Sequence, residues 1–183
     1  GGIGTELAAR MRDKGLILLD WWDNGIRHIS NSKRPITLPG DLSGLKIRTP
    51  ADAMTIDIFK ALGAATEQIA FSELYIALQQ GVVDGQENPL ANIASSKIYE
   101  VTPYISLSAH KWESTPFLMS RMAQGRLKDD ERQAVAQAAK EAGELQRGLM
   151  RDADKKYLAQ FKADGSLKVN EVDRAAFKKA TEP

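Results

Sequence analysis

Apolar positions along the chain switch between two spacings, and the switches predict the elements. Residues 4–14 set Leu7, Ala8 and Met11 on one helical face, with Gly15 as a C-terminal cap. Leu16-Ile17-Leu18-Leu19 is a continuous apolar run, the pattern of a strand buried on both faces in a parallel sheet. Asp20 to Gly25 reads as an exit through a tryptophan pair and an Asn-Gly turn, after which Ile26-Arg27-His28-Ile29 resumes as a second strand; this looks like a crossover point. Residues 31–44, with Pro35 and Pro39, read as loop.

From Leu45 the order becomes strand, helix, strand, helix. Leu45 to Thr49 is a short strand that Pro50 stops, Ala51 to Leu62 is helical with Gly63 as its end, and Thr66 to Ala70 is extended. Phe71, Leu74, Tyr75 and Leu78 stand at the i, i+3, i+4, i+7 spacing of a helix capped by Ser72 and stopped at Gly81. Val82-Val83 then lead into a polar turn, Asp84 to Glu87, with Asn88 as N-cap and Pro89 as first residue of a helix reaching about Tyr99. Thr102–Leu107 and Thr115–Ser120 are strand candidates, the latter followed by loop to Leu127. Asp129-Asp130-Glu131 open a long helix to about Lys162, its apolar face running Val135, Ala138, Ala142, Leu145, Leu149, Ala153 and Phe161. Gly143 and Gly148 mark places where that helix bends or where another backbone comes close. Leu167-Lys168-Val169 and a helix from Val172 to Ala180 complete an α/β alternation with mostly parallel pairing.

Charge and composition remove function classes. Against 25 basic residues stand 24 acidic ones, so nothing in the balance suggests nucleic acid as a partner. No apolar run approaches the roughly 20 residues of a membrane span, so no membrane insertion of this chain is expected. The absence of cysteine excludes disulfides, thiol nucleophiles and zinc-thiolate sites. His28 and His110 are the only histidines and have no partner at metal-ligand spacing; no G-x-S-x-G, phosphate loop or dinucleotide fingerprint occurs, and no cofactor or metal is expected.

The remaining chemistry concentrates in two stretches. Arg48 at a strand end offers a planar fork of donors that suits a carboxylate, and an amide such as Asn88 can both donate and accept beside it. Strands separated by helices bind ligands beyond their carboxyl ends, where Arg48 and the Gln86 to Asn88 turn would fall. From the residues alone a surface ion pair suits Arg48 as well. Arg27 equally fits a surface basic cluster with Lys33 and Arg34, and Phe71 a hydrophobic staple or a ring lying against a ligand. Glu87 with Asp84 is a conceivable carboxylate pair, and an enzyme of small organic acids using Glu87 and His110, or the sensing module of a regulator, stays open at this point.

Taken together, Asn24-Gly25-Ile26-Arg27, Lys33-Arg34-Pro35-Ile36, Asp41 to Arg48, Phe59 to Ala64, Phe71 to Tyr75, Ala77-Leu78-Gln79 and Gly81 to Pro89 follow one another with the spacing of the DctP-type solute-binding subunits of TRAP (tripartite ATP-independent periplasmic) transporters, a resemblance that covers residues 15–165. It implies a two-lobed periplasmic-binding-protein-like α/β fold with a long bracing helix, and a periplasmic protein, monomeric, that captures a small organic acid and delivers it to TRAP membrane subunits without turnover. It implies that Arg48 grips the substrate carboxylate, that Asn88 hydrogen-bonds it, that Arg27 is a further polar contact and that Phe71 lines the pocket. Members of that family run to about 300 residues, so the chain is expected to be a piece in which lobe one is incomplete: residues 1–24 and 114–152 would be its remainder, with 25–113 and 153–183 forming lobe two. Ala51 stands where the sialic-acid branch has Asn, which makes sialic acid a poor fit and leaves a C4-dicarboxylate, a sugar acid or another monocarboxylate.

Overall fold

The computed structural model describes residues 2–182; Gly1 and Pro183, the outer ends of the expected lobe segments, lie outside them. The chain divides into two compact units, Gly1–Asn24 with Glu113–Asp152, and Gly25–Trp112 with Ala153–Pro183. Three elements run through both: strand β1 (Leu16–Asn31), strand β5 (Tyr104–Ser120) and helix α6 (Asp129–Ala163).

The larger unit is built on a sheet. Besides its parts of β1 and β5 it holds β2 (Lys46–Thr49), β3 (Ala65–Gln68), β4 (Gly85–Pro89) and β6 (Lys168–Glu171), in the order β3-β2-β4-β1-β5-β6. The β2–β3, β2–β4 and β5–β6 pairs are parallel, as the helix-separated strands predict, whereas β4 pairs antiparallel with β1. Strand alternation separates two apolar cores. Ile29 and Ile47 pack with Phe59 of α2 (Ala53–Ala61) and Phe177 of α7 (Arg174–Thr181). Ile105 and Leu107 pack with α3 (Leu74–Gln79), α4 (Leu90–Ser95) and Phe161 near the end of α6. Asp52 caps α2 by accepting from the Thr55 N–H, and Asp173 caps α7 through Ala176.

The smaller unit contains α1 (Gly2–Asp13), the short helix α5 (Arg121–Gly125) and the first two-thirds of α6. Neither apolar core reaches it, and Leu16 to Leu19, expected to be fully buried, are only half-buried. Polar contacts hold it instead: Gln146 donates to the Asp23 carbonyl (2.6 Å) and accepts from its N–H (2.9 Å), Arg147 reaches Asp20 (3.0 Å) and the Trp21 carbonyl (2.7 Å), and Trp22 stacks on Phe117 at 4.7 Å.

Several sequence expectations are corrected. The turn expected at Asn24-Gly25 does not end a strand, because β1 continues through Gly25 at a φ of +109°. Likewise the two strands expected in 102–120 are one, passing through Ala109 at a φ of +46°, a conformation costing an alanine about 1–2 kcal/mol. Residues 121–125, expected as loop, are α5. The helix expected from Ser72 begins at Leu74, after a 3₁₀ turn over Phe71–Glu73. On α6, Leu145 and Leu149 are exposed while Ala139, Gly143, Gln146 and Arg147 turn inward; polar side chains with backbone partners took positions that an apolar pattern assigns to solvent. Gly143 is a close approach, since a Cβ there would sit 1.8 Å from the Asp20 carboxylate, whereas at Gly148 the space is open.

Candidate functional site

The largest correction falls on the polar turn. Gly85 to Pro89 form β4, a fully buried strand between β2 and β1, and α4 begins only at Leu90. Asn88 therefore caps nothing. Three consecutive polar residues survive inside the sheet because each finds partners, and the pleat sends them to alternate faces.

Glu87, fully buried, receives Nε of Arg27 at 2.5 Å and Nη2 at 2.7 Å, and lies 3.2 Å from Nε2 of His110. Burial alone would raise its pKa, but the hydrogen bonds from His110 and Arg27 and the Arg27 charge outweigh burial and hold the carboxyl below its ordinary value. Arg27, 3% exposed, is thus no member of a surface cluster with Lys33 and Arg34. It also donates from Nη2 to the Glu87 carbonyl (3.0 Å) and to Oδ1 of Asn88 (3.1 Å). Asp84 does not join Glu87 as a carboxylate pair; it accepts from the Lys46 N–H at 2.9 Å and pairs with Lys33 at 3.4 Å. The structure does bring Glu87 and His110 together, yet the carboxylate is clamped by a guanidinium and has no exposed surface, which leaves it nothing to exchange with a substrate.

Arg48 is the third residue of β2 and pairs in register with Gln86 of β4. It is 4% exposed, Nε donates to the Ile69 carbonyl at 2.7 Å, and Cζ stands 5.9 Å from the centre of the half-exposed Phe71 ring. Among the described residues neither terminal nitrogen of Arg48 meets an acceptor and no carboxylate lies within ion-pair distance. Burial lowers its pKa most, Glu87 raises it and Arg27 lowers it again, but a guanidinium stays charged at neutral pH. A buried cation anchored at one nitrogen, with the outer fork free, is an arrangement that an anion completes.

Asn88, 3% exposed, donates from Nδ2 to Oε1 of Gln86 at 2.5 Å, while Oδ1 accepts from Arg27 and, at 3.4 Å, from Asn92. The four residues expected at the site thus fall in the larger unit in two linked groups, Arg48 with Phe71 and Arg27 with Asn88; Gln86 lies between them, paired with Arg48 in register and bonded to Asn88. Sequence reasoning placed Gln86 only as part of the turn beside Arg48, missed Ser30 and Thr102 as members of this polar group, and had Glu87 only as a possible acid. The one signal was three polar residues in a row preceding a proline.

Nearby, His28 accepts at Nδ1 from the Ala109 N–H (3.1 Å); burial, helped by His110 and Arg174, lowers its pKa to about 4. Lys111 bonds Asp52 at 2.6 Å, and that bond with the one from Thr55 lowers the Asp52 carboxyl to about 2. Among the described residues no cluster of histidine and carboxylate side chains could hold a metal ion, and no helix is long and apolar enough to cross a membrane.

A two-unit α/β chain with one long helix running through both units, and a buried, half-satisfied arginine on its main sheet, belongs to the class of two-lobed periplasmic-binding-protein folds. More narrowly, the chain is a member of the DctP family, bacterial extracellular solute-binding protein family 7, whose model matches residues 1–183. It is 66% identical over 181 residues to an uncharacterised protein of Sinorhizobium fredii, covering 99% of this chain and 33% of that one. A solute-binding protein of Verminephrobacter eiseniae is 41% identical over 183 residues, covering 100% of this chain and 55% of its own. The crystal structure of a TRAP periplasmic solute-binding protein from Polaromonas, bound to D-erythronate, superposes with a TM-score of 0.95 at 40% identity, covering 100% of this chain and 60% of that one. The chain spans from a third to about half the length of these curated relatives.

Proposed function

We propose that the protein of which this chain is part is a periplasmic binding subunit that captures a small organic acid as its carboxylate and hands it, unaltered, to the membrane subunits of a TRAP transporter. The observation that carries this reading is the buried Arg48 guanidinium, fixed at Nε and unpaired at its outer nitrogens. In this reading Arg48 takes the carboxylate, Asn88 donates to it, Phe71 lies against the ligand's carbon skeleton, and Arg27 acts from behind Asn88, to which it is already bonded. The larger unit is lobe two and the smaller one the remainder of lobe one.

One charge-assisted arginine pair contributes roughly 1.5–3 kcal/mol, whereas micromolar affinity requires about 8 kcal/mol. Contacts from outside this unit supply the difference. Solved relatives carry D-erythronate, D-glucuronate or succinate, which supports a sugar acid or a C4-dicarboxylate as the ligand class. Native mass spectrometry of the freshly purified full-length protein tests the reading. A co-purifying carboxylic acid, recovered with unchanged mass after incubation, is the expected result; a chemically altered product, or a ligand without an acid group, contradicts it.

A further inference from the structure

The Asn88 side chain belongs to a line of hydrogen bonds that admits one direction only. Thr102, fully buried, donates from Oγ1 to the Ile98 carbonyl at 2.8 Å, which uses its only proton. The 2.9 Å contact between Thr102 Oγ1 and Ser30 Oγ must then be a donation from Ser30. With that proton spent, Ser30 Oγ can only accept from the Gln86 atom 2.8 Å away, so this atom is Nε2 and Oε1 faces the other way. Oε1 in turn accepts from Asn88, so the Asn88 atom beside it is Nδ2. The opposite end of the line gives the same answer independently. Arg27 has donors only, and the Asn88 atom 3.1 Å from its Nη2 must be Oδ1. A carbonyl and a guanidinium, at opposite ends of the line, thus fix both amides with no alternative orientation. Ser30 and Gln86 face each other across the β1–β4 ladder and both are fully buried, so water does not interrupt the line.

We propose that Thr102, Ser30 and Gln86 are positioning residues, whose one-way line of hydrogen bonds holds the Asn88 amide so that its second N–H, with the outer fork of Arg48, offers a carboxylate donors and no acceptor. This rests on the carboxylate reading above. Its chemical consequence is specific: an ionised carboxylate has only acceptors and fits, while the matching carboxamide places an N–H₂ against donors and is refused. Removing the Thr102 hydroxyl frees the Ser30 proton to seek Gln86, but a flipped Gln86 would set Nε2 against Nδ2, which Arg27 prevents from turning. The variant therefore leaves one buried group unpaired and Asn88 less firmly held.

The test uses the full-length protein, the shape-conserving Thr102→Val variant and the hydroxyl-restoring Thr102→Ser variant. Two readouts are taken: NMR resonances and solvent exchange of the Gln86 and Asn88 side-chain amides, which need no ligand, and calorimetric affinity for D-erythronate and succinate. Thr102→Val is expected to shift both amides, speed their exchange and weaken the bound acid about fivefold, with Thr102→Ser restoring both. Amide signals unmoved by Thr102→Val overturn the proposed line, whatever the affinity. Moved amides with unchanged affinity, in a protein whose binding Arg48→Ala weakens at least about tenfold, overturn the positioning role. If the amides move but the wild type binds neither acid and no carboxylate co-purifies with it, the carboxylate reading fails and the positioning role falls with it, while the hydrogen-bond order stands.

Discussion

Replacing Glu87 by Gln keeps the side chain's shape and removes only its charge, so it measures what that charge does inside the sheet. In the native protein the carboxylate receives two hydrogen bonds from Arg27 and one contact from His110, with no exposed surface. After substitution the guanidinium stays buried without its formal counter-charge, the circumstance in which one member of a buried pair is costly to lose. The expected loss is about 3–5 kcal/mol, seen as a fall in the urea midpoint of roughly 1–5 M for a slope of about 1–3 kcal/mol/M, with the slope itself unchanged. Because the hydrogen bonds and the Arg27 charge hold the Glu87 pKa below its ordinary 4.5, its contribution is fully present above that value and disappears as pH falls through the lower folded-state value. Glu87→Gln should therefore lose the acid-labile part of the wild-type stability curve below about pH 4.5. An Arg27→Met/Glu87→Leu double variant, which removes both charges, should recover much of the loss. The reasoning is refuted if Glu87→Gln stays within about 1 kcal/mol of wild type at pH 7.

Two glycines should respond in opposite directions. A Cβ on Gly85 would meet the Ser30 carbonyl oxygen at 2.7 Å and Asn31 Cβ at 2.8 Å, so Gly85→Ala should cost about 1–3 kcal/mol, while Gly148→Ala, in open space within α6, should gain about 1 kcal/mol; paired urea titrations check both. His28 titrates near pH 4 in the fold against 6.5 unfolded, so stability should be full above about pH 6.5 and decline toward about pH 4, by on the order of 3 kcal/mol. An imidazole NMR titration giving a His28 value near 6.5 would contradict this.

Where local periodicity coincides with burial, the sequence was legible. The strand–helix–strand order of β2, α2 and β3, the body of α3, α7 and the extent of α6 follow from apolar spacing and stop residues, although buried Thr55 on α2 and inward Gln146 and Arg147 on α6 lie outside that pattern. It was illegible where polar groups are buried. Gln86-Glu87-Asn88 looks like a turn until the partners Ser30, Arg27 and His110, from 23 to 61 residues away, are known. Gln146 and Arg147 misled the reading of α6 in the same way, since their partners lie on β1. The motif around Arg48 and Asn88 suggested the site residues; only the fold showed that Arg48 keeps its outer nitrogens unpaired while Arg27 is already spent on Glu87.

The central claim is that Arg48 is kept for a carboxylate carried from outside the chain. Calorimetric titration of the full-length protein and its Arg48→Ala variant with the acid that co-purifies tests it most directly. The account predicts at least about a tenfold loss of affinity, equivalent to about 1.4 kcal/mol, with the unliganded melting temperature nearly unchanged because no carboxylate among the described residues lies within ion-pair distance of this guanidinium. Equal affinity in the two proteins would contradict it.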